Sequence, residues 1–378
     1  MDKKNKIGIL TQPLHDNYGG LLQALALSKM IEKLGHEPYI INRRSGHSNN
    51  IRKFLSNIKR KITGSKRYVP TPSERAVISK HTLAFRNKYF PNLTQEILTN
   101  KKLQELNKQN FNAFVVGSDQ CWRPRYSPNI FNYFLDFAKD QPNIKRVAYA
   151  ASFGTAEWEF MPEQTEVCKE LVQKFDAVSV REDSAVDLCV EHLDANATHV
   201  LDPTMLWDKS FYNKLVDSGK VDSNGGNLKA YVLDKNEEKS NAIKYLEETL
   251  GLKAFEVMPS KRLNIEKPDN NLLDYQYPSP LQWLKGYQDA KFVIADSFHG
   301  IVFSILYNIP FLAIGNEKRG LTRFTSLLKM FQLEDRLIVN LSKENINHVL
   351  KKDIDWSSVN NILDVKRKES IDFLKNNL

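Results

Sequence analysis

The sequence contains few cysteines, and their spacing indicates no structural framework. There are three in 378 residues, none in a C-x-x-C pair: Cys121, Cys168 and Cys189. An odd number at these spacings argues against a disulfide scaffold and against a cysteine-based zinc site. We therefore expect a protein of the reducing cytoplasm.

Long apolar runs are missing as well. No stretch approaches the roughly 18–20 apolar residues that a membrane-spanning helix needs, and the N-terminal letters MDKKNKIGIL contain no signal-peptide core. The hydrophobic content of 41% still allows substantial cores, and the length fits two domains of ordinary size. These observations predict a two-domain protein without a transmembrane segment.

Acidic residues are absent from one stretch, Arg43 to Val69. It contains nine lysines and arginines, which equals the whole net charge of +9. Its apolar residues recur at helical spacing, at Ile51, Phe54, Leu55, Ile58 and Ile62. A basic amphipathic helix predicts peripheral contact with an anionic membrane surface, with a solvated insertion as the alternative. Nucleic acid is not an expected partner, because aromatics are few and no recognised module is present.

The glycine fingerprint of dinucleotide-binding proteins is also missing. Lys6–Thr11 predicts a strand, Leu21–Leu34 a helix and Pro38–Asn42 the next strand, which together form a βαβ unit. Gly19–Gly20 precedes the helix but does not match G-x-G-x-x-G, so no dinucleotide cofactor is indicated. The glycine pair either lets a ligand approach the backbone or forms a tight turn.

The rest of the chain alternates between short apolar runs and helical patterns. Four runs of the first half predict parallel strands with polar residues at their ends, namely Ala113–Val116, Arg146–Ala151, Ala177–Val180 and His199–Leu201. Asp217–Asn227 reads as a linker, and the same pattern restarts beyond it. We predict an α/β protein with two Rossmann-like domains, residues 1–216 and 228–378, facing a cleft as in GT-B glycosyltransferases, and with C-terminal helices.

The most informative stretch is Lys291–Gly315. It predicts a buried strand at Phe292–Ala295, a polar turn, an apolar helix at Ile301–Asn308 and a further strand at Phe311–Ile314. Its ionisable groups fall at the strand's carboxyl end and the helix's amino end, where open α/β sheets bind ligands. His299 in the turn suits proton transfer near neutral pH.

Several neighbours of His299 suit an anionic ligand. Gly300 at the helix start offers backbone N–H groups, Lys318 and Arg319 follow the next strand, and Arg181 ends a strand of the first half. We predict that these residues hold an anionic donor beside His299. The alternatives are a packed or helix-capping histidine and a solvated lysine–arginine loop.

Seven segments, in this order, make the chain resemble the polysaccharide pyruvyl transferase family over nearly its full length. They are NYGGLLQALALSKMIEKLGHE, VVGSDQCWRP, YAASFG, SVREDSA, VLDPTML, YPSPLQWL and ADSFHGIVFSILYNIPFLAIG. The resemblance implies transfer of a pyruvyl group from phosphoenolpyruvate to two hydroxyls of a sugar, which forms a cyclic ketal. It also implies a fold similar to two-domain glycosyltransferases, with no metal or organic cofactor.

A hypothesis for the mechanism of this reaction assigns roles to particular residues. Asp119 is the candidate base or ligand of an acceptor hydroxyl, with a turn-stabilising aspartate as the alternative, and Trp122 offers a flat face for a sugar ring. Asn17, Gln23 and the Gly19–Gly20 pair are the further acceptor-binding candidates. Some members of the family carry arginine two positions before the histidine, where this chain has Ser297. We expect Ser297 on the donor side, with Lys318, Arg319 or Arg181 supplying the missing positive charge.

Two other functions stay open at this stage. A glycosyltransferase that uses a nucleotide sugar would share the fold, and a non-catalytic glycan-binding protein would explain Ser297. For the transferase, we expect a glycan or a lipid-linked oligosaccharide as acceptor, in the cytoplasm at the inner face of the membrane. The sequence does not predict the oligomeric state.

Overall fold

The computed structural model of the protein describes residues 4–44, 70–263, 271–315 and 320–378. Most of the basic stretch from Arg43 to Val69 lies outside the described residues, as do Lys318 and Arg319. The membrane contact of the basic stretch and the anion-binding role of the two loop residues therefore stay predictions.

Six short strands of the first half of the chain form a parallel sheet. They are β1 (Lys6–Leu10), β2 (Glu37–Ile40), β3 (Ala113–Val116), β4 (Lys145–Ala151), β5 (Ala177–Val180) and β6 (Thr198–His199). Their order is β2-β1-β3-β4-β5-β6, with every neighbouring pair parallel. The point at which the order reverses therefore lies between β1 and β3.

Five strands of the second half form another parallel sheet. They are β7 (Leu228–Tyr231), β8 (Ala254–Phe255), β9 (Phe292–Ala295), β10 (Phe311–Ile314) and β11 (Leu337–Ile338). Their order is β11-β10-β9-β7-β8, again with parallel neighbours. In this sheet the order reverses between β7 and β9.

Helices surround both sheets. Those of the first half are α1 (Tyr18–Lys33), α2 (Pro72–Ile78), α3 (Lys80–Tyr89), α4 (Asn100–Gln104), α5 (Pro162–Val172), α6 (Ser184–Leu193) and α7 (Lys209–Gly219). Those of the second half are α8 (Glu237–Leu250), α9 (Pro280–Asp289), α10 (Phe298–Tyr307), α11 (Thr322–Met330), α12 (Lys343–Leu350) and α13 (Trp356–Asn377). This is the predicted arrangement of two Rossmann-like units with C-terminal helices.

One continuous apolar core joins the two sheets. Tyr18 of α1 stacks on Trp283 of α9 with ring centroids 5.8 Å apart, and its hydroxyl donates a hydrogen bond to the carbonyl of Pro278. Tyr212 of α7 packs edge-on against Phe303 of α10. Because these rings are buried, separating the halves would expose apolar surface to water, and the core therefore holds them together.

The last helix, α13, returns to the first sheet. The backbone N–H of Leu201 donates to Oγ of Ser370 over 3.0 Å, and Nε of Arg367 donates to the carbonyl of Met205 over 2.8 Å. Leu374 is fully buried. The C-terminal helix thus crosses between the halves, and the predicted limits 1–216 and 228–378 stay a prediction.

Strands that are buried on both faces begin and end where the sequence predicts them. This holds for Ala113–Val116, Ala177–Val180, Phe292–Ala295 and Phe311–Ile314. A parallel sheet covered by helices on both sides needs uninterrupted apolar runs, and such runs are easy to recognise in a sequence.

Two helix starts correct the sequence prediction. Helix α1 begins at Tyr18, so Gly19 and Gly20 lie in its first turn rather than before it. Asn17 caps this turn, because its side chain accepts a hydrogen bond from the N–H of Gly20. Helix α10 begins at Phe298, so His299 is helical rather than part of a polar turn.

Candidate active site

A cavity of about 380 Å³ opens where the carboxyl ends of the two sheets meet. Met258 after β8, Tyr277 before α9 and Arg323 of α11 contribute to its lining. Most of the remaining lining comes from the segments after β1 and β3 in the first sheet and after β7 and β9 in the second. These strand pairs flank the two points at which strand order reverses, and open α/β sheets bind ligands at such points. Both points therefore serve one cavity.

His299 faces a buried carboxylate that the first half of the chain supplies. Its Nε2 lies 3.5 Å from Oδ2 of Asp202, which is fully buried. The ring also packs against the backbone of α1, since a Cβ atom at Gly19 would overlap the imidazole. The histidine of one half and the aspartate of the other thus form a pair across the interface, and His299 lines the cavity.

Asp202 is held by four hydrogen bonds. Oδ1 accepts from the N–H and hydroxyl of Thr204 over 3.0 and 2.7 Å, and Oδ2 accepts from Ser118 Oγ and Arg181 Nη1 over 3.1 and 3.0 Å. Burial acts to raise the pKa of Asp202, but His299, Arg181 and these bonds outweigh it and hold that pKa well below its usual range. The carboxylate is therefore ionised beside His299.

Arg181 lies behind the cavity wall rather than in it. Its side chain is 1% exposed, and it contacts Asp202, Glu182 at 3.2 Å and the face of the Phe298 ring at 4.3 Å. Burial acts to lower the pKa of Arg181, but Glu182, Asp202 and Asp119 raise it above its usual value. Arg181 is therefore a fixed cation that orders the carboxylates, and the structure does not bring it to the cavity surface as a direct donor ligand.

Asp119 lines the cavity on the first sheet's side. It has a positive φ of 71° and accepts a hydrogen bond from the N–H of Gln120 over 2.9 Å. One of its oxygens lies 3.8 Å from Nη2 of Arg181. A non-glycine residue in the left-handed region of backbone conformation is uncommon. Here the turn places the Asp119 carboxylate in the cavity lining, together with His299.

Arg323 is a lining residue that sequence reasoning missed. It stands in the first turn of α11 and is partly buried. Burial and the neighbouring Arg181 lower the pKa of Arg323 to about 10, which leaves it charged at neutral pH. A sequence signal exists, because α11 follows strand β10 just as α10 follows β9, and both helix starts therefore lie at the same sheet edge.

The remaining donor-side residues surround the start of α10. Ser297 lines the cavity and precedes the helix, and its side chain does not cap the N–H groups of the first turn. Gly300 is buried. A Cβ atom there would come within 2.7 Å of Cβ of Ala295, so the packing leaves no room for a side chain. The sequence analysis predicted that Gly300 donates through its backbone N–H, and this role needs no side chain.

Two acceptor-side predictions are corrected by burial. Trp122 is fully buried, stacks on Phe134 at 4.7 Å and donates its indole N–H to the carbonyl of Tyr133. It offers no face to a sugar. Gln23 is fully buried as well, and its amide donates to Thr11 Oγ1 and to the Gly20 carbonyl.

The other acceptor-side residues lie closer to the site. Asn17 lines the cavity and caps α1, Gly19 supports the His299 ring, and Gly20 packs against Asn17. Of these, only Asn17 presents a side chain to the cavity. The glycine pair therefore serves the close packing of α1 against His299.

Asp296 also lines the cavity. It follows strand β9, in the predicted polar turn, and the sequence analysis gave it no role. Its oxygens accept hydrogen bonds from the N–H groups of Leu233 and Asp234 over 2.6 and 3.0 Å, and from Lys239 Nζ over 2.7 Å. These bonds join the loops after β7 and β9. Asp296 thus fixes the shape of the wall next to Ser297.

Within the described ranges, no group of three or more histidine, cysteine, aspartate or glutamate side chains is arranged to hold a metal ion. In the same part of the chain, no helix is both long and apolar enough to cross a membrane.

The sequence model of one family, described as polysaccharide pyruvyl transferase, matches residues 17–318. The chain belongs to the polysaccharide pyruvyl transferase family. The resemblance found in the sequence is therefore confirmed, and the protein is placed in a family of transferases. A search of the curated proteins finds no match.

Solved structures that resemble this family member confirm the fold class. One is UGT89C1 of Arabidopsis thaliana complexed with UDP-L-rhamnose, with 8% identity over 99% of both chains and a TM-score of 0.55. Another is the UDP-GlcNAc 2-epimerase of Methanocaldococcus jannaschii, with 12% identity over 92% of both chains and a TM-score of 0.50. At these identities the likeness concerns the fold alone, which is the GT-B arrangement.

Proposed function

We propose that this pyruvyl transferase family member moves the pyruvyl group of phosphoenolpyruvate onto two hydroxyls of a sugar, forming a cyclic ketal and inorganic phosphate. The observation that carries the proposal is His299 held against the ionised Asp202, in a cavity that also contains Arg323 and Asp119. An acid, a cation and a base within one cavity are the groups that this transfer needs.

Phosphoenolpyruvate, the donor, is strongly anionic. We assign it to the region of the cavity near Arg323 and the start of α10. Arg323 and the first turn of α10 suit the phosphate and the carboxylate. Ser297 lies beside them, and Lys318 and Arg319 remain candidates for the same anion. Arg181 contributes through its charge and through the position of Asp202.

His299 is assigned as the general acid. Its imidazolium gives a proton to the methylene carbon of phosphoenolpyruvate, the electron pair of the double bond forms the new C–H bond, and the central carbon becomes oxocarbenium-like. Asp202 lies 3.5 Å from Nε2 of the ring, and its fixed negative charge orients the imidazole.

The acceptor sugar then completes the transfer. Its first hydroxyl adds to the central carbon while Asp119 takes the hydroxyl proton. The bond from the central carbon to the phosphate oxygen breaks, and phosphate leaves. The second hydroxyl then closes the ketal ring and gives its proton to the neutral His299, which restores the acid.

We place this reaction on a cell-surface polysaccharide or its lipid-linked precursor, in the cytoplasm at the membrane's inner face. The basic stretch Arg43–Val69 is the proposed membrane contact, except for Arg43 itself, which is buried and donates hydrogen bonds to Asn132 and Asn100.

A thermal-shift comparison tests the donor assignment. Phosphoenolpyruvate is expected to raise the melting temperature of the wild type and of the exposed-residue control His348→Ala, and UDP, GDP and CMP are expected to leave it unchanged. The shift with phosphoenolpyruvate should shrink in Arg323→Gln. Stabilisation by a nucleotide, with no response to phosphoenolpyruvate, would instead make the protein a nucleotide-sugar glycosyltransferase.

A further inference from the structure

The residues that line the cavity divide into two parts by their chemical character. One part consists of ionisable residues and includes His299, Arg323 and Asp119. The other part is formed by Leu233, Met258 and Tyr277, and by the buried ring of Tyr231, all of which lack a formal charge at neutral pH. Leu233, Met258 and Tyr277 are each only partly buried, so they present apolar surface to whatever enters.

Tyr277 is a firmly held ring within this second part. Its backbone N–H donates to the carbonyl of Ile78 over 2.9 Å, and its ring meets the Tyr18 ring edge-on with centroids 6.2 Å apart. The preceding Gln276 is held by helices α2 and α3. Its amide donates to the carbonyl of Val77 in α2, and its Oε1 pairs with Nε2 of His81 in α3 over 3.1 Å. The ring is therefore positioned before any ligand arrives.

The lining also contains a fixed carboxylate. Asp16 lines the cavity, and its two oxygens accept hydrogen bonds from Ser79 Oγ over 2.9 Å and from Thr82 Oγ1 over 2.6 Å. Asn17 lines the cavity beside it. Amide and carboxylate oxygens are good partners for sugar hydroxyls, whereas a second negative charge next to Asp16 would be repelled.

We infer that this second part is the acceptor subsite, in which the ring of an uncharged sugar packs on Tyr277, Met258 and Leu233 and turns its hydroxyls toward Asp16, Asn17 and Asp119. The inference rests on the proposed function and assigns its acceptor class, a neutral pyranose rather than a uronic acid or a sugar phosphate. Ligand sites commonly combine apolar and aromatic walls with a few convergent polar groups, as here. Tyr277 takes the place that the sequence suggested for Trp122.

Binding of simple sugars tests this inference without any donor. Saturation-transfer NMR would measure methyl glycosides of glucose, galactose and mannose, and the matching methyl uronides, against the wild type, Tyr277→Ala, Tyr277→Phe and the control Tyr126→Ala. Tyr126 is exposed and does not line the cavity. We expect at least one neutral glycoside to bind the wild type and to bind Tyr277→Ala about 3- to 10-fold more weakly. Tyr277→Phe and Tyr126→Ala should bind like the wild type, and the uronides should bind more weakly.

Three results would overturn the inference: no binding by any neutral glycoside at its highest soluble concentration, wild-type binding by Tyr277→Ala, or tighter binding by the uronides. If Tyr277→Ala fails to fold, Met258→Ala provides the same comparison. Tyr277→Ala should keep the thermal shift with phosphoenolpyruvate. A protein that binds sugar through Tyr277 but never responds to phosphoenolpyruvate would contradict the proposed function while leaving the sugar subsite in place.

Discussion

At the scale of single residues, His299 depends on a partner from the other half of the chain. Asp202 is buried, ionised and tied to Arg181, Ser118 and Thr204, so it is a fixed negative charge at the histidine's Nε2. The sequence singles out His299, because it is an ionisable residue at a helix start after a buried strand. It does not reveal Asp202 as its partner, because the two meet only when both sheets have formed.

Replacing Asp202 by asparagine is expected to reduce stability by about 3–5 kcal/mol at pH 7, because Arg181 would keep its buried charge with one counter-charge fewer. The exposed carboxylate of Asp194 supplies the control, and Asp194→Asn should change stability by less than about 0.5 kcal/mol. Urea unfolding of both variants measures this. An Asp202→Asn protein as stable as the control would show that the carboxylate network is unimportant for the fold.

The same pair predicts a dependence on pH. The folded-state pKa of Asp202 lies below its unfolded value of about 3.9, so its contribution is complete above that pH and is lost as pH falls through the folded pKa. Urea unfolding from pH 7 down to pH 3 should show the wild type losing stability that Asp202→Asn does not lose. Parallel curves for the two proteins would contradict the shifted pKa.

Gly19 and Gly20 offer a matched comparison at the His299 ring. A side chain at Gly19 would overlap the imidazole, whereas one at Gly20 would come 3.2 Å from the flexible Asn17 amide. Gly19→Ala should therefore displace His299 and reduce turnover by about 10²-fold or more, the usual contribution of a positioned acid. Gly20→Ala should stay within a few-fold of the wild type. Equal rates of phosphate release in the two variants would show that the ring does not need this contact.

At the scale of elements, buried strands were the easiest to predict and helix starts the hardest. The apolar runs of β3, β9 and β10 allow few other interpretations. The start of α1 looks like a turn in the sequence, because glycines favour turns, and it is helical because Asn17 caps it and the His299 ring requires the absence of a side chain. Trp122 could not be assigned for a similar reason, since a core tryptophan and a sugar-stacking one look alike in sequence.

Gly320 links α11, and hence Arg323, to the loop after β4. Its φ is +88°, and a Cβ atom there would overlap the carbonyl of Gly154. Gly225 has a φ of +73° with no atom within 4 Å of its would-be Cβ, so Gly225→Ala introduces backbone strain alone. We expect Gly320→Ala to weaken phosphoenolpyruvate binding severalfold, and Gly225→Ala to leave it unchanged. Identical dissociation constants by calorimetry would argue that α11 does not shape the donor site.

At the scale of the whole molecule, the site exists because two sheets share one core and one last helix. Helix α13 starts after the second sheet and packs beside the end of the first, where Asp202 follows β6. The sequence predicts two similar halves from repeated strand–helix alternation. It gives no indication of this crossing, since the apolar residues of α13 would fit any partner surface.

Ser370→Ala tests that crossing. The variant leaves the buried N–H of Leu201 without its acceptor and should cost about 1–3 kcal/mol in the free energy of unfolding. Ser357, at the exposed start of the same helix, is the control, and Ser357→Ala should be nearly neutral. Guanidinium unfolding of both variants distinguishes them. A neutral Ser370→Ala would mean that α13 is not firmly docked on the first sheet.

The central claim is pyruvyl transfer at His299, and one measurement tests it most directly. The source organism's own polysaccharide, stripped of ketals by mild acid, is incubated with phosphoenolpyruvate and wild type or His299→Ala, and ³¹P and ¹H NMR follow phosphate release and the ketal methyl signal. We predict polymer-dependent phosphate release with a matching methyl signal, reduced by about 10²–10⁴-fold in folded His299→Ala. Phosphate release without a ketal signal, or equal rates in the two proteins, would contradict the account.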